Sequence, residues 1–260
     1  MEVHIVSFSG GKDSTAMLFK LIEQGEKIDY ILFVDLGAEY PEMYKHIEQV
    51  NQKLKKYNLR VTVLKPKYTL FEYMTVYKKK RGKYVGLPYA FPSLTYRWCS
   101  ALKRDIINRF KAQLKVATVD YIGYTVDEIK RARKLKQKET MTRKYRFPLI
   151  ELGMTEKDAL KYCYSLGFDW GGLYEHLDRV SCFMCPFQNS KGLKYLVTQR
   201  PELWGKIKQL ESSIKEKGIK YWKFKPNKSC EDIESMMRSD KYHSAQKTLL
   251  EYYDRGDRRW

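Results

Sequence analysis

Three hydroxyls, two adjacent glycines, a lysine and an aspartate stand together in SFSGGKDS, Ser7 to Ser14. A Gly-rich turn lets backbone N–H groups converge on an anion, and the helix announced by Thr15-Ala16-Met17-Leu18-Phe19 points its positive end at the same place. A phosphate chain is the ligand these residue types suit. A second cluster is Cys182-Phe183-Met184-Cys185 followed by Pro186, in which two thiolates three residues apart can face one metal. Five cysteines, an odd number with one such pair, argue for metal, cluster or plain burial before disulfides.

Elements that would position the first cluster are legible on both sides of it. Val3 to Val6 reads as a strand, Asp13 to Gln24 as a helix, Tyr30 to Asp35 as a strand, Pro41 to Tyr57 as a helix and Arg60 to Leu64 as a strand. Strands separated by helices imply α/β architecture, a doubly wound parallel sheet whose ligands lie beyond the carboxyl ends of the strands. SFSGGKDS and DLGAEYPE both fall at such ends. Tyr77 to Trp98 reads as a long basic and aromatic connection, a mobile substrate loop. Cys99 to Lys111 reads as a helix and Val116 to Gly123 as a strand. Lys130 to Arg146, with nine Lys or Arg and Glu139 as its one acid, reads as a solvated, mobile segment.

A smaller, mostly helical region is expected from about residue 151 to 260, after a nucleotide-binding part over 1–150. Thr155-Glu156-Lys157-Asp158 looks like a capping box for a helix ending at Ser165. Cys182 to Pro186 reads as a tight loop, Lys191 to Lys217 as helix with a break at Pro201, and Ser229 to Arg238 as a short helix. The tail YYDRGDRRW shows no clear element.

At 260 residues with 43% hydrophobic and 14% aromatic content, the chain can bury a full core, which excludes a disordered class. No apolar run is long enough to span a membrane and no leader begins at Met1, so a cytoplasmic protein is expected. The net charge of +19 favours a polyanionic partner, against the competing reading of a basic protein from a Lys-rich proteome. Lys78, Lys79, Lys80 and Arg81, and further on Arg131, Arg133 and Lys134, are the candidate contacts to nucleic acid. The neighbouring Tyr84, Tyr89, Phe91, Tyr96 and Trp98 are candidate stacking surfaces.

SFSGGKDS is not the common P-loop, because Val6 and Asp13 stand where that motif needs Gly and Ser or Thr. It resembles the PP-loop S-G-G-x-D-S of the adenine nucleotide alpha hydrolase and ATP pyrophosphatase superfamily. DLGAEYPEM (35–43), IGYTVDEIKRA (122–132) and FPLIELGMTEKD (147–158) resemble the corresponding segments of the phosphoadenosine phosphosulfate (PAPS) reductase family. The resemblance runs over roughly residues 3 to 200. It implies an enzyme that splits ATP between the α and β phosphates, with Ser7, Ser9, Gly10, Gly11, Lys12, Asp13 and Ser14 on the phosphates. Asp35, Gly37, Glu42 and Gly123 would lie about the nucleotide or its Mg2+. Lys12 and Asp13, with Asp127 and Glu128 placing metal or acceptor, form the expected catalytic set. A compact ammonium at Lys12 suits charge building on phosphate oxygens.

The departures bear on the reaction. Sulfate-reducing members act through a cysteine in a C-terminal E-C-G-x-H motif, whereas the last cysteine here is Cys230 in KSCED, and Thr125 replaces an expected arginine. Adenylation of an acceptor, probed first with tRNA and DNA, is therefore the leading expectation, with sulfate reduction on PAPS as oxidoreductase alternative and a non-catalytic binding protein as third. Cys99, Cys182 and Cys185 would hold a [4Fe-4S] cluster supporting sulfur transfer from a donor protein or thiol, as in some cluster-dependent tRNA thiolases. Zn2+ is the alternative, and Cys163 or His176 the candidate fourth ligand. The competing reading of Cys163 is a small buried hydrophobe on a helix face.

Overall fold

The computed structural model describes residues 2–82 and 84–238. Lys83 of the first basic run and the tail YYDRGDRRW lie outside the described residues. The core is a five-stranded, all-parallel sheet in the order β3-β2-β1-β4-β5, formed by β1 (Glu2–Ser7), β2 (Tyr30–Val34), β3 (Val61–Leu64), β4 (Ala117–Ile122) and β5 (Arg143–Arg146). The expected α/β class is thus the observed one. The order reverses at β1, flanked by β2 and β4, and this switch point puts a crevice at the carboxyl end of β1.

Helices cover both faces, as parallel strands require. Helix α1 (Lys12–Glu23) buries Ala16, Met17, Leu18 and Leu21 completely. Helix α2 (Pro41–Leu54) starts with Pro in its first turn and buries Met43, His46, Ile47, Val50 and Leu54 at helical spacing; a short 3-10 turn, Lys55–Tyr57, extends it. Next come α3 (Leu70–Thr75), α4 (Trp98–Leu114), which packs on β2, and α5 (Ile129–Lys136). Then α6 (Pro148–Glu151) and α7 (Glu156–Ser165) both pack on α1. The capping box at the start of α7 is present: Thr155 accepts from the Asp158 N–H at 3.2 Å while Asp158 accepts from the Thr155 N–H at 3.0 Å. A tight turn, Trp170–Gly172, leads into α8 (Leu173–His176).

The segment Lys130–Arg146 is not solvated chain but α5 and β5. Its sequence hides the strand, because RKYR has no apolar alternation; ion pairs supply what burial normally does. Arg143 donates to Asp120 at 3.1 Å, Lys144 to Glu2 at 2.6 Å, and Arg146 to Glu26 and Glu151 at 2.8 and 2.7 Å. Asp120 is almost wholly buried and also takes Lys111 at 2.5 Å, so two cations balance one interior carboxylate.

Two compact units divide the chain: one contains the residues up to Phe71 with Arg97–Phe183, the other Glu72–Tyr96 with the chain from Met184. In the second unit, α9 (Ser190–Gln199), α10 (Pro201–Glu216) and α11 (Cys230–Arg238) bury Leu193, Leu196, Trp204, Ile207, Leu210, Ile214 and Ile233. Pro201 begins α10, which realises the expected break. Phe91 meets the edge of Phe224 at 5.2 Å, and Phe224 that of Trp204 at 5.8 Å. Between Thr75 and Trp98 no described residue is helix or strand, yet the connection closes on itself: Lys79 N–H donates to Leu87 C=O and Gly86 N–H to Lys79 C=O.

Candidate nucleotide site

Ser7 ends β1 and Gly11 caps α1, so the loop between them spans Phe8 to Gly10. Gly10 takes φ +78°, and a Cβ there would lie 2.5 Å from Met43 Sδ. Both demands favour glycine here, since a side chain would be strained at this φ and would push Met43 aside. The loop is tied internally by its serines. Ser14 Oγ donates to Gly11 C=O at 3.0 Å, accepts from the Ser9 N–H at 3.2 Å and lies 3.0 Å from Ser9 Oγ. At the end of β4, a Cβ on Gly123 would come within 3.1 Å of the Asp13–Ser14 backbone, so this glycine permits close approach of strand and helix.

Aromatic side chains from the Trp170–Gly172 turn and α8 fix the loop from behind. Trp170 Nε1–H donates to Gly10 C=O at 2.7 Å, and the Lys12 N–H donates to Tyr174 Oη at 2.7 Å. Trp170 has φ +53°, a left-handed conformation costly for a bulky residue, at the position where its indole holds the loop. Its indole stacks on His46 at 4.3 Å. His46 is 3.0 Å from Thr15 Oγ1, and burial holds its imidazole down at about 3, so it is neutral at physiological pH.

Charges converge on the first turn of α1. The Lys12 ammonium is 2.7 Å from Glu156 Oε2 and 3.2 Å from Asp13 Oδ2. Burial pulls against its charge, but the bond from Glu156 and the Asp13 carboxylate win, and its pKa lies above the ordinary lysine value. Burial pushes Asp13 up to about 6, against Lys12 and with help from the Glu156 and Glu128 carboxylates. Asp13 Oδ1 is buried without a hydrogen-bond partner. A magnesium ion arriving with a nucleotide keeps most of its waters and needs one or two carboxylates, and this oxygen fits that demand. Asp127 accepts from the Glu156 N–H at 2.9 Å, so it sets the helix end that carries Glu156, while Glu128 pairs with Arg131.

Asp35 sits just beyond β2, and its Oδ1 accepts from the Gly37 N–H at 2.7 Å and the Tyr44 hydroxyl at 2.8 Å. It closes the turn that carries Gly37, while Glu42 in the first turn of α2 approaches Gly171. Trp170, Tyr174, Glu156 and Met43 are site residues that sequence reasoning missed. The one local signal was Trp170-Gly171-Gly172, a tight-turn sequence with both glycines at positive φ.

The phosphoadenosine phosphosulfate reductase domain profile matches residues 3–188. The chain belongs to the PAPS reductase family. It is also similar to an uncharacterised protein of Methanocaldococcus jannaschii, 26% identical over 219 residues, which covers 82% of this chain and 42% of the relative. The chain thus spans less than half the length of that curated relative. PAPS reductase membership supports a nucleotide-using enzyme. No described helix is long and apolar enough to cross a membrane.

Within this PAPS reductase fold the candidate thiols divide by surroundings. Cys163 is buried in α7, its thiol donates to Lys12 C=O at 3.3 Å, and burial pushes it up to about 12, so it acts as loop packing. Cys99, in the first turn of α4, and Cys182 are half-buried, and both support the charge of the Lys103 ammonium, which bonds Glu39 at 2.8 Å. His176, the other candidate fourth ligand, ends α8. Among the described residues no three His, Cys, Asp or Glu side chains gather as a group able to hold a metal ion. A metal or cluster on Cys99, Cys182 and Cys185 is thus not shown, and no step below runs through one.

Proposed function

We propose that the chain binds ATP at Ser7–Ser14 and transfers its AMP to an oxygen of an acceptor, releasing pyrophosphate, with nucleic acid as the acceptor class. The observation that carries this reading is the loop itself: Gly10 and Gly11 lead into the positive end of α1, beside a buried Asp13 oxygen without a hydrogen-bond partner. The acceptor oxygen bonds to the α-phosphorus as the bond to the β-phosphoryl oxygen breaks, its electron pair leaving on pyrophosphate. Lys12 would neutralise charge on the leaving phosphates, which requires it to exchange Glu156 for them. Mg2+ would be held by Asp13 and the phosphates and would supply further charge neutralisation. Asp127 positions Glu156 and acts on Lys12 through it. Nucleic acid as acceptor rests on the +19 charge and on the exposed Lys78, Lys80, Arg81, Arg133 and Lys134. The extension to sulfur transfer rests on family membership and on the thiols Cys99 and Cys182 beside Lys103.

Product analysis of the anaerobically purified chain tests this, with Mg2+, a dithiol reductant and either ATP or PAPS, with and without tRNA and DNA. AMP and pyrophosphate, stimulated by one nucleic acid, are expected. Sulfite and adenosine bisphosphate from PAPS with ATP untouched would establish the reductase instead, and ATP bound but intact with every acceptor would leave a binding protein.

A further inference from the structure

Residues 73–96 gather tyrosines rather than aliphatic side chains. Tyr77 and Tyr89 stack nearly parallel, 12° apart at 5.8 Å, and Tyr73 approaches both, at 5.0 and 6.1 Å. Tyr96 extends the group, 6.4 Å from Tyr89 at 30°. The Lys79 ammonium lies over the rings of Tyr84 and Tyr89 at 5.0 and 5.3 Å. Burial lowers the Lys79 pKa and raises that of Tyr89 to about 12, so the inner part of the group is partly shielded from water. Its outer members are not buried: Tyr96 is 57% and Tyr84 38% exposed.

Cations stand beside the rings. Lys78, Lys80 and Arg81 are exposed, at successive positions around Lys79. A ring backed by another ring at Tyr96 and one backed by the Lys79 ammonium at Tyr84, with further ammonium and guanidinium groups alongside, match a polymer that alternates flat π-faces with anions. Only unpaired bases offer such faces, because a duplex presents edges and phosphates.

We propose that the tyrosines and cations of residues 73–82 and 84–96 form a stacking platform for a single-stranded nucleic acid, with bases on the exposed faces of Tyr96 and Tyr84 and phosphates on Lys78, Lys80 and Arg81. The proposal deepens the acceptor part of the function given above and rests on it for what happens after binding.

Fluorescence anisotropy of short fluorescein-labelled oligothymidylate and oligouridylate with the full chain tests it. Single strands bind, and neither the duplex nor polyglutamate of equal charge competes on equal terms. Tyr96→Ala weakens binding about tenfold, within the range measured for losing one stacked base, while Tyr96→Phe retains it. Lys80→Ala lowers the slope of log affinity against log salt by about 1. Equal binding of polyglutamate or duplex, or an unaltered affinity in folded Tyr96→Ala, overturns the platform. Pyrophosphate release is read in the same samples. Oligonucleotide bound with this signature but ATP left intact upholds the platform and removes adenylation; pyrophosphate released without oligonucleotide binding does the reverse.

Discussion

Replacing Glu156 by Gln separates the two demands made on Lys12. In the structure the ammonium is 2.7 Å from Glu156 Oε2, with the Lys12 side chain 7% exposed and that of Glu156 46% exposed. A fully buried charge-assisted bond would contribute about 1.5–3 kcal/mol. Because one partner is half in water, screening reduces this to about 1–2 kcal/mol. Glu156→Gln keeps the shape and loses the charge, so the fold should lose about that much, lowering Tm by about 3–6 °C. A nucleotide phosphate no longer has to displace a carboxylate, so ATP–Mg affinity should rise about 5–30-fold, the same free energy read as binding. Titration calorimetry with ATP and Mg2+ measures the gain, and a Lys12→Ala, Glu156→Gln double variant checks its origin, because without the ammonium the gain should vanish. Unchanged or weaker ATP binding in a folded Glu156→Gln protein refutes the competition and leaves Lys12–Glu156 as a strut between α1 and α7.

Two further outcomes follow from the same loop. Gly10→Ala places a methyl 2.5 Å from Met43 Sδ at φ +78°, and should destabilise by about 2–4 kcal/mol, with Met43→Ala restoring only the steric share in thermal melts. Asp13 has its folded pKa raised to about 6, so the stability linked to its proton is present below its unfolded value near 3.8 and lost as pH rises through about 6. Urea unfolding of the native chain against Asp13→Asn should show a relative loss of about 2 kcal/mol between pH 4.5 and 7, and a flat difference would refute the assignment.

What was legible in the sequence was what is local in the chain. SFSGGKDS announces its own turn and helix, and Thr155 with Asp158 announces the start of α7, because each signal and its structure lie within a few residues. Strand β5 was illegible because Arg143-Lys144-Tyr145-Arg146 is stabilised by acids brought from Glu2, Glu26, Asp120 and Glu151, not by a period-2 apolar pattern. Helix α5 was misread for the same reason: its charge hid a helix that buries Ala132 alone. The phosphate-loop motif was readable, but its supports were not. Trp170, Tyr174, Cys163 and Glu156 reach Gly10 and Lys12 across more than a hundred residues of sequence, and no spacing rule joins such positions. The Lys12 pairing with Glu156 is the most consequential of these, because the motif alone presents Lys12 as free for phosphate.

The split make-up of the second compact unit has a consequence on the ribosome. Phe91 is buried against Phe224, so this ring leaves the exit tunnel well before the side chain that packs on it exists. At bacterial or eukaryotic synthesis rates that interval is on the order of ten seconds, long compared with hydrophobic collapse. Nascent chains halted between those two phenylalanines should therefore be the form most readily captured by holdase chaperones, and the nearby basic run Lys78–Arg81 is well placed to keep them soluble by charge until Phe224 arrives.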